Sequence, residues 1–222
     1  CRRFEARDHL NRVPLLHGHD PLAIAACADA LAAGELVAFP TETVYGLAAI
    51  AVNENAVHRV FDTKGRPRSH PLIIHLSPES DIHQWGVFND DARKLASEFW
   101  PGPLTLLVPR TSLVPDWVTG GRDTVAIRVP SHPVTQQLLR KVNDGVVAPS
   151  ANRFGKVSPT TAQHVASDLG DDVDMILDGG QCSVGVESTI VECAEICQVL
   201  RPGEISESDV ARVVGHELSH HN

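Results

Sequence analysis

Two short polar stretches carry the residue types best suited to chemistry. Lys64-Gly65-Arg66-Pro67 sets two cations on a turn constrained by Gly and Pro, and Ser150-Ala151-Asn152 follows the apolar run Val146-Val147-Ala148. Arg offers a planar fork of donors and Lys a point charge, a combination suited to phosphate groups. Taken separately, the first stretch is a solvated basic loop and the second a polar turn. Taken together, they predict a pocket for a polyanion and a small polar molecule.

Arg128 is a third candidate, because it lies within the apolar segment 124–130, which has the pattern of a buried strand. An unpaired charge in a buried strand is costly, so this side chain needs a carboxylate partner. The partner is either a protein Asp or Glu or the carboxylate of a ligand. His75, near the end of another apolar run, fits either a core histidine or a group that faces a ligand.

The common catalytic signatures do not occur in the sequence. There is no Gly-x-Ser-x-Gly elbow, Walker A sequence, Rossmann Gly-x-Gly-x-x-Gly or His-Glu-x-x-His. The remaining candidates are Thr, Lys, Arg, Ser and Asn side chains at the ends of strands. Such groups position substrates and neutralise charge, which is most of what phosphoryl or nucleotidyl transfer asks of a protein.

The composition narrows the class of protein. A formal net charge of -9 argues against a protein that coats nucleic acid nonspecifically, because that function needs an excess of Lys and Arg. The five scattered cysteines lack Cys-x-x-Cys or zinc spacing and indicate reduced thiols. No apolar run approaches the ~20 residues of a membrane span, and the first residues lack the apolar core of a secretory signal. We therefore expect a cytoplasmic protein that does not bind membranes.

The elements that position these residues are short. Helices are predicted near 20–34, 55–63, 90–100, 132–142, 158–166 and 206–214. Strands are predicted near 13–16, 36–39, 71–76, 104–108, 124–130, 145–148, 174–177, 185–191 and 198–200, and 115–122 is predicted to be a turn-rich connection. Because helices and strands do not alternate strictly, the pattern favours one α/β domain with a twisted mixed sheet.

Six motifs occur in a fixed order along the chain. They are 40–47 (PTETVYGL), 64–67 (KGRP) with Pro71-Leu72, 100–105 (WPGPLT), 150–152 (SAN) with Ser158-Pro159-Thr160, 187–191 (ESTIV) and 201–203 (RPG). This series resembles the YrdC-type L-threonylcarbamoyladenylate synthases, and the resemblance covers residues 20–205.

The resemblance implies a YrdC-like fold in which a twisted mixed sheet with flanking helices surrounds a positively charged cavity. It also implies a nucleotidyltransferase that converts L-threonine, bicarbonate or CO2, and ATP with Mg2+ into L-threonylcarbamoyl-AMP and pyrophosphate. A separate tRNA threonylcarbamoyl transferase complex would place the product's acyl group on adenosine 37 of tRNA. A weak affinity of this protein for tRNA is also expected.

Two neighbouring sites follow from the same resemblance. The L-threonine site would comprise Thr43, His75, Arg128, Ser150 and Ser188. The ATP site would comprise Lys64, Arg66, His70, Thr124, Asn152, Ser158, Thr160 and Arg201. The implied catalytic set is Lys64, Arg66, Ser150 and Asn152. The two cations would neutralise charge on the triphosphate, and the Ser and Asn side chains would orient a carbamate.

Two positions depart from the family pattern. His70 precedes Pro71-Leu72 where many relatives carry Asn, and Arg153-Phe154 follows the SAN motif in place of small residues. For the organisation of the chain we predict a lead-in over 1–19, a catalytic domain over 20–205, and a C-terminal helix and tail over 206–222. We expect the single-domain form of the family.

Two other functions stay open at this point. A noncatalytic RNA-binding module is compatible with a basic pocket, although an aromatic content of 5% provides few platforms for base stacking. A related enzyme that forms a carbamoyl-adenylate would use carbamoyl phosphate in place of threonine and bicarbonate.

Overall fold

The computed structural model describes residues 13–219, and within them the chain forms one ten-stranded sheet and seven α-helices. The strands are β1 (Leu15–His17), β2 (Val37–Phe39), β3 (Gly46–Ile50), β4 (Ile73–His75), β5 (Leu104–Pro109), β6 (Thr124–Arg128), β7 (Val146–Val147), β8 (Met175–Asp178), β9 (Thr189–Cys193) and β10 (Cys197–Arg201). The helices are α1 (Pro21–Ala32), α2 (Glu54–Lys64), α3 (Asp90–Phe99), α4 (Asp116–Thr119), α5 (Pro133–Val142), α6 (Ala162–Asp168) and α7 (Glu207–Val214).

The sheet is mixed, as predicted. Its strand order is β1-β8-β2-β3-β7-β4-β6-β5-β9-β10. The pairs β1–β8, β2–β8, β4–β6 and β5–β9 are parallel, and the remaining pairs are antiparallel. The predicted α/β class with flanking helices is therefore confirmed.

The core forms a layer on each face of the sheet. Successive residues of a strand point to opposite faces, so Val37 and Phe39 of β2 join one apolar cluster and Ala38 joins the other. Helices α1 and α5 cover the first face, where Leu31 and Leu138 are fully buried. The other cluster includes the apolar sides of α2 and α3. Burial on both faces explains why the central strands read as continuous apolar runs.

Helix α2 delivers the basic turn to its place. Asn53 caps the helix by accepting from the Ala56 amide at 3.1 Å, and Gly65 ends it with a φ of 64°. That left-handed conformation strongly favours Gly, and it lets the Arg66 amide donate back to the Phe61 carbonyl at 3.0 Å. Lys64 is consequently the last helical residue, and Arg66 is the first side chain beyond the turn.

Several predicted boundaries are wrong. The segment 46–50 is strand β3, although no strand was predicted there, and 116–119 within the predicted turn-rich connection is helix α4. Helix α6 begins only at Ala162, because Thr161 provides the N-cap by accepting from the His164 amide at 3.2 Å. Strand β9 begins at Thr189, so 185–188 is a loop.

The cysteines and the helices can be compared with the remaining predictions over the described part of the chain. Four cysteines are buried free thiols, and Cys1 lies outside the described residues. None of the helices over 13–219 combines the length and apolarity that a membrane crossing requires. The predicted boundaries at residues 19/20 and 205/206 stay predictions, and the first twelve residues of the lead-in lie outside the described part of the chain.

Candidate active site

A cavity of about 340 Å³ opens where strand ends and loops of the sheet's central part meet. Its walls come from the β2–β3 loop, the α2–β4 loop, strands β4, β5 and β6, the end of β7, and the β9–β10 hairpin. Six predicted site residues line it, namely Arg66, His75, Arg128, Ser150, Ser188 and Arg201. The structure therefore brings most of the predicted threonine site together with two arginines of the predicted ATP site.

Lys64 connects the two polar stretches. Its ammonium group donates hydrogen bonds to the backbone carbonyls of Ser150 and Asn152, and the side chain is only 3% exposed. Burial lowers the pKa of Lys64 to about 8, and the charge of Arg66 acts in the same direction. Lys64 thus holds residues 150–152, the SAN loop, in place without lining the cavity, whereas Arg66 lines it.

Asn152 offers an acceptor to this region. Its amide nitrogen donates to the carbonyls of Arg153 at 2.7 Å and Lys156 at 2.9 Å. Its oxygen Oδ1 is buried without a hydrogen-bond partner. Such an oxygen suits a hydroxyl group or a metal-bound water, because a phosphate oxygen is itself an acceptor.

The partner of Arg128 is a protein carboxylate. Arg128 Nη2 lies 2.7 Å from Oε1 of Glu42, and these residues are 4% and 7% exposed. Glu42 also accepts from the Ser131 amide at 3.1 Å. Arg128 Nη1 donates to Thr43 Oγ1 at 3.0 Å, and Nε donates to the Gly102 carbonyl at 3.3 Å. These bonds use three of the five guanidinium N–H donors, so two remain for a ligand.

The threonine hydroxyls of the β2–β3 loop form a directed chain. Thr41 Oγ1 donates to the Val44 carbonyl at 2.6 Å, so the 2.8 Å contact between the hydroxyls of Thr41 and Thr43 must use the proton of Thr43. Thr43 in turn accepts from Arg128. This chain fixes the orientation of the guanidinium at the cavity wall.

His75 is both a buried residue and a cavity residue. It is 3% exposed, and Nδ1 lies 3.2 Å from the Ile73 carbonyl, to which it donates. Burial, and then the nearby charge of Arg128, lower the pKa of His75 to about 3. The imidazole is therefore neutral at physiological pH and can serve as a polar contact for an uncharged group.

Arg201 and Ser188 form the opposite part of the lining. Arg201 donates to the Ser188 carbonyl through Nε and to Ser188 Oγ through Nη2, both at 3.0 Å. Ser188 Oγ also lies 2.8 Å from Oγ1 of Thr105. A β-bulge in β10 shifts the register, so that Val199 pairs with Val191 but Arg201 pairs with Ile190. Because of the bulge, the consecutive residues Leu200 and Arg201 both line the cavity.

Glu187 lies among the cavity's cations. Its carboxylate is 3.0 Å from Nη1 of Arg201 and accepts from the Ser158 hydroxyl at 2.7 Å. Ser158 is thus held by a neighbouring acid. Of the three arginines that line the cavity, Arg128 and Arg201 have carboxylate partners, so the net positive charge of the cavity stays a prediction.

Six of the eight predicted ATP residues lie outside the cavity lining, namely Lys64, His70, Thr124, Asn152, Ser158 and Thr160. The ring of His70 packs edge-on against Phe154 at 5.5 Å, and the Arg66 guanidinium lies 6.0 Å from the same ring. Thr124 is two residues before Ala126 on β6 and shares its face of the sheet. The Thr160 carbonyl accepts from the Cys182 amide at 2.9 Å. The two departures from the family pattern, His70 and Phe154, are therefore in contact.

Four polar residues of the site were missed by sequence reasoning: Thr41, Glu42, Thr105 and Glu187. A signal existed for Glu42, because a buried Arg128 requires a carboxylate and Glu42 lies inside the PTETVYGL motif. Glu187 likewise opens the ESTIV motif. Thr41 and Thr105 also lie inside motifs, PTETVYGL and WPGPLT, but a hydroxyl carries no charge that requires a partner.

The oxygen ligands near the cavity are few. Across residues 13–219 there is no group of three or more His, Cys, Asp or Glu arranged to hold a metal ion. The Glu187 carboxylate at the cavity wall, and the unpartnered Oδ1 of Asn152 outside the lining, are oxygen donors of the kind that Mg2+ prefers. This set fits a Mg2+ ion that arrives with phosphate groups and keeps several waters.

Comparison with known proteins identifies relatives along most of the chain. The family model for Sua5, YciO and YrdC proteins, described as telomere recombination, matches residues 29–203. A threonylcarbamoyl-AMP synthase from Pyrococcus abyssi (strain GE5 / Orsay) is 47% identical over 189 residues, or 84% of this chain and 56% of that protein. One from Bacillus subtilis (strain 168) is 45% identical over 203 residues, or 90% of this chain and 58% of that protein.

A solved structure of a Sua5 protein also resembles this chain. The crystal structure of P. abyssi Sua5 complexed with L-threonine has a TM-score of 0.89 and 42% identity, covering 94% of this chain and 62% of that one. The chain spans just over half the length of the first two relatives. Since the family model matches well over half of its residues, this chain belongs to the Sua5/YciO/YrdC family.

Proposed function

We propose that this protein is an L-threonylcarbamoyladenylate synthase. The supporting observation is that one cavity is lined both by the cations Arg66 and Arg201 and by the polar set His75, Arg128 and Ser188. The first group suits a triphosphate, and the second suits a small amino acid. The relatives named as threonylcarbamoyl-AMP synthases, and the relative solved with L-threonine, favour the same assignment.

The proposed reaction has two bond-forming steps. The threonine amine attacks the carbon of bicarbonate and water leaves, which gives a carbamate; CO2 gives the same product with release of a proton instead of water. A carbamate oxygen then attacks the α-phosphorus of ATP, and the bond from that phosphorus to the β-phosphate oxygen breaks. The products are L-threonylcarbamoyl-AMP and pyrophosphate. Because the carbamate is already an anion, the second step needs no general base.

The threonine carboxylate is assigned to Arg128. Two of its N–H donors are not used by protein partners, and the Glu42 and Thr43 contacts hold the guanidinium at the wall of the cavity. The neutral imidazole of His75 and the hydroxyl of Ser188, which line the same cavity, would contact the uncharged parts of the amino acid. Since the pKa of His75 is lowered to about 3, this side chain cannot act as a proton reservoir near neutral pH.

The triphosphate is assigned to Arg66 and Arg201, with Lys64 holding the SAN loop beside it. Arginine forks bind phosphate oxygens through two parallel hydrogen bonds. Mg2+, when bound with ATP, would neutralise part of the triphosphate charge as the pyrophosphate departs. Glu187 at the cavity wall is the carboxylate that would face the ion or its waters, and Asn152 Oδ1, outside the lining, is a second candidate acceptor for those waters. The proposed ATP contacts also include His70, Thr124, Ser158 and Thr160.

The product is a reactive mixed anhydride, so a second enzyme must take it up. We assign that role to a tRNA threonylcarbamoyl transferase complex that acts in the cytoplasm. We also propose that this protein itself binds tRNA weakly.

Mass spectrometry of the reaction products tests the proposal. The protein incubated with ATP, Mg2+, L-threonine and 13C-bicarbonate should form L-threonylcarbamoyl-AMP that carries the label, and omission of threonine or bicarbonate should abolish it. Product from carbamoyl phosphate alone would instead indicate a carbamoyl-adenylate enzyme. Salt-dependent tRNA binding without ATP turnover would indicate an RNA-binding module.

A pH dependence follows from the environment of Lys64. Its pKa is lowered from 10.5 to about 8, so the ammonium charge beside the SAN loop is lost as pH rises through 8. We expect kcat/KM for ATP to fall above pH 8, because this ratio reports ionisations of the free enzyme.

The stability of the fold should change in the opposite direction. Between pH 8 and 10.5 the unfolded chain binds more protons at Lys64 than the folded chain does, so the free energy of unfolding rises with pH.

The control for this prediction is Lys64→Arg, which keeps the charge because a guanidinium does not titrate in this range. The variant should retain measurable activity without the fall above pH 8. A fall of the same size and position in the variant would assign the ionisation to another group.

A further inference from the structure

Glu187 is the one acidic side chain among the residues that line the described cavity, and it lies beside cations. It pairs with Arg201 at 3.0 Å, and burial lowers the pKa of Arg66, Lys64 and Arg201 while the charge of Glu187 opposes that lowering in each case. The carboxylate therefore occupies the electrostatic position that a phosphate group would take. A bound triphosphate must either displace it or tolerate its charge.

These two possibilities differ in what they require of the ligand. A metal-free triphosphate brings several negative charges close to Glu187. Each close pair of like charges near a protein surface should lower the affinity for the triphosphate several-fold. A magnesium-bound triphosphate carries two fewer negative charges, and its cation offers the carboxylate a partner of opposite sign. Glu187 should therefore weaken the binding of the first form and leave that of the second intact.

We propose that Glu187 makes the cavity select the magnesium-bound form of a triphosphate over the metal-free form. This inference rests on the proposed function, since it assigns the triphosphate of ATP to the cavity. Ser158 is a positioning residue in this device, because its hydroxyl holds the other carboxylate oxygen at 2.7 Å and aims the acid at Arg201. The selectivity also favours product release, because the Glu187 carboxylate at the cavity wall repels pyrophosphate that has lost its metal ion.

Titration calorimetry with inorganic triphosphate tests the proposal, once with excess EDTA and once with excess Mg2+. In Glu187→Gln we expect at least about 5-fold tighter binding of the metal-free form, and no gain for the magnesium form. The ratio of the two affinities should therefore fall by at least about 5-fold relative to the wild type. An unchanged ratio in a folded variant would overturn the proposal.

The controls separate local charge from net charge and from folding. Glu195→Gln makes the same change of net charge in the exposed turn of the β9–β10 hairpin, and it should keep the wild-type ratio. Glu187→Asp keeps the charge and should also keep the ratio. Glu187→Ala removes the charge without adding an amide and should reproduce the fall, which covers the case that the Gln variant does not fold.

The failure of this inference is distinguishable from failure of the proposed function. A wild-type protein that forms no threonine-dependent product contradicts the proposed function. A wild-type protein that forms the product, combined with an unchanged affinity ratio in Glu187→Gln, contradicts only the role of Glu187.

Discussion

Arg66→Ala should reduce kcat/KM for ATP at least about 100-fold in threonine-dependent pyrophosphate release. Arg66 lines the cavity, and its Nε is buried without a hydrogen-bond partner while Nη2 donates to the Pro71 carbonyl at 3.0 Å. The guanidinium is thus fixed in place with an unused donor, which suits charge that develops on the triphosphate during the reaction. A pyrophosphate-release assay over a range of ATP concentrations measures the effect.

The same turn provides a matched control. Arg68 is exposed and pairs with Asp62 at 3.2 Å, so Arg68→Ala removes an identical charge two residues away. We expect it to keep activity within about 2-fold of the wild type, because exposed ion pairs contribute little.

Lys64→Ala should abolish activity for a different reason. It removes the donor that holds the Ser150 and Asn152 carbonyls, so it should also lower the melting temperature. Near-normal turnover in both Arg66→Ala and Lys64→Ala would contradict the assignment of the cavity.

Glu42→Gln should lower the free energy of unfolding by about 3–5 kcal/mol. Glu42 and Arg128 form a pair that is almost completely buried, and the variant would leave the Arg128 charge in the protein interior without its counterion. For a domain of this size the loss corresponds to a fall in melting temperature on the order of 10 °C. Urea unfolding followed by circular dichroism measures the difference.

The control is an ion pair of similar length at the surface. Glu79 lies 2.9 Å from Arg140, and both side chains are exposed. Glu79→Gln should leave the stability close to that of the wild type, since solvent screens this pair. Equal stability of the Glu42 and Glu79 variants would show that Arg128 does not depend on a charged partner.

The sequence was sufficient for some parts of the site and insufficient for others. It indicated that Arg128 needs a carboxylate, but it could not choose among 28 acidic residues. That choice depends on strand pairing, because Arg128 lies opposite Thr105 on β5 and His75 on β4, and this arrangement brings it next to the β2–β3 loop. Local pattern carries no information about such pairings.

The missed elements have a similar explanation. Strand β3 consists of Gly46, Leu47, Ala48, Ala49 and Ile50, and small residues have low intrinsic β-propensity. It is a strand because β2 and β7 pair with it on both sides and all five residues are buried. Helix α2 was predicted nearly to its ends, since its cap, its apolar spacing and its terminal Gly all lie within the segment itself.

The bulge in β10 determines the face of the hairpin on which Arg201 lies. Leu200 is the extra residue, so in a hairpin without the bulge it would pair with Ile190, and Arg201 would turn to the opposite face; deletion of Leu200 instead keeps Arg201 opposite Ile190. A substitution of Leu200 would leave that geometry unchanged. Among homologous sequences, a single-residue gap at this position would therefore preserve the face of the hairpin on which the arginine of the Arg-Pro-Gly motif lies.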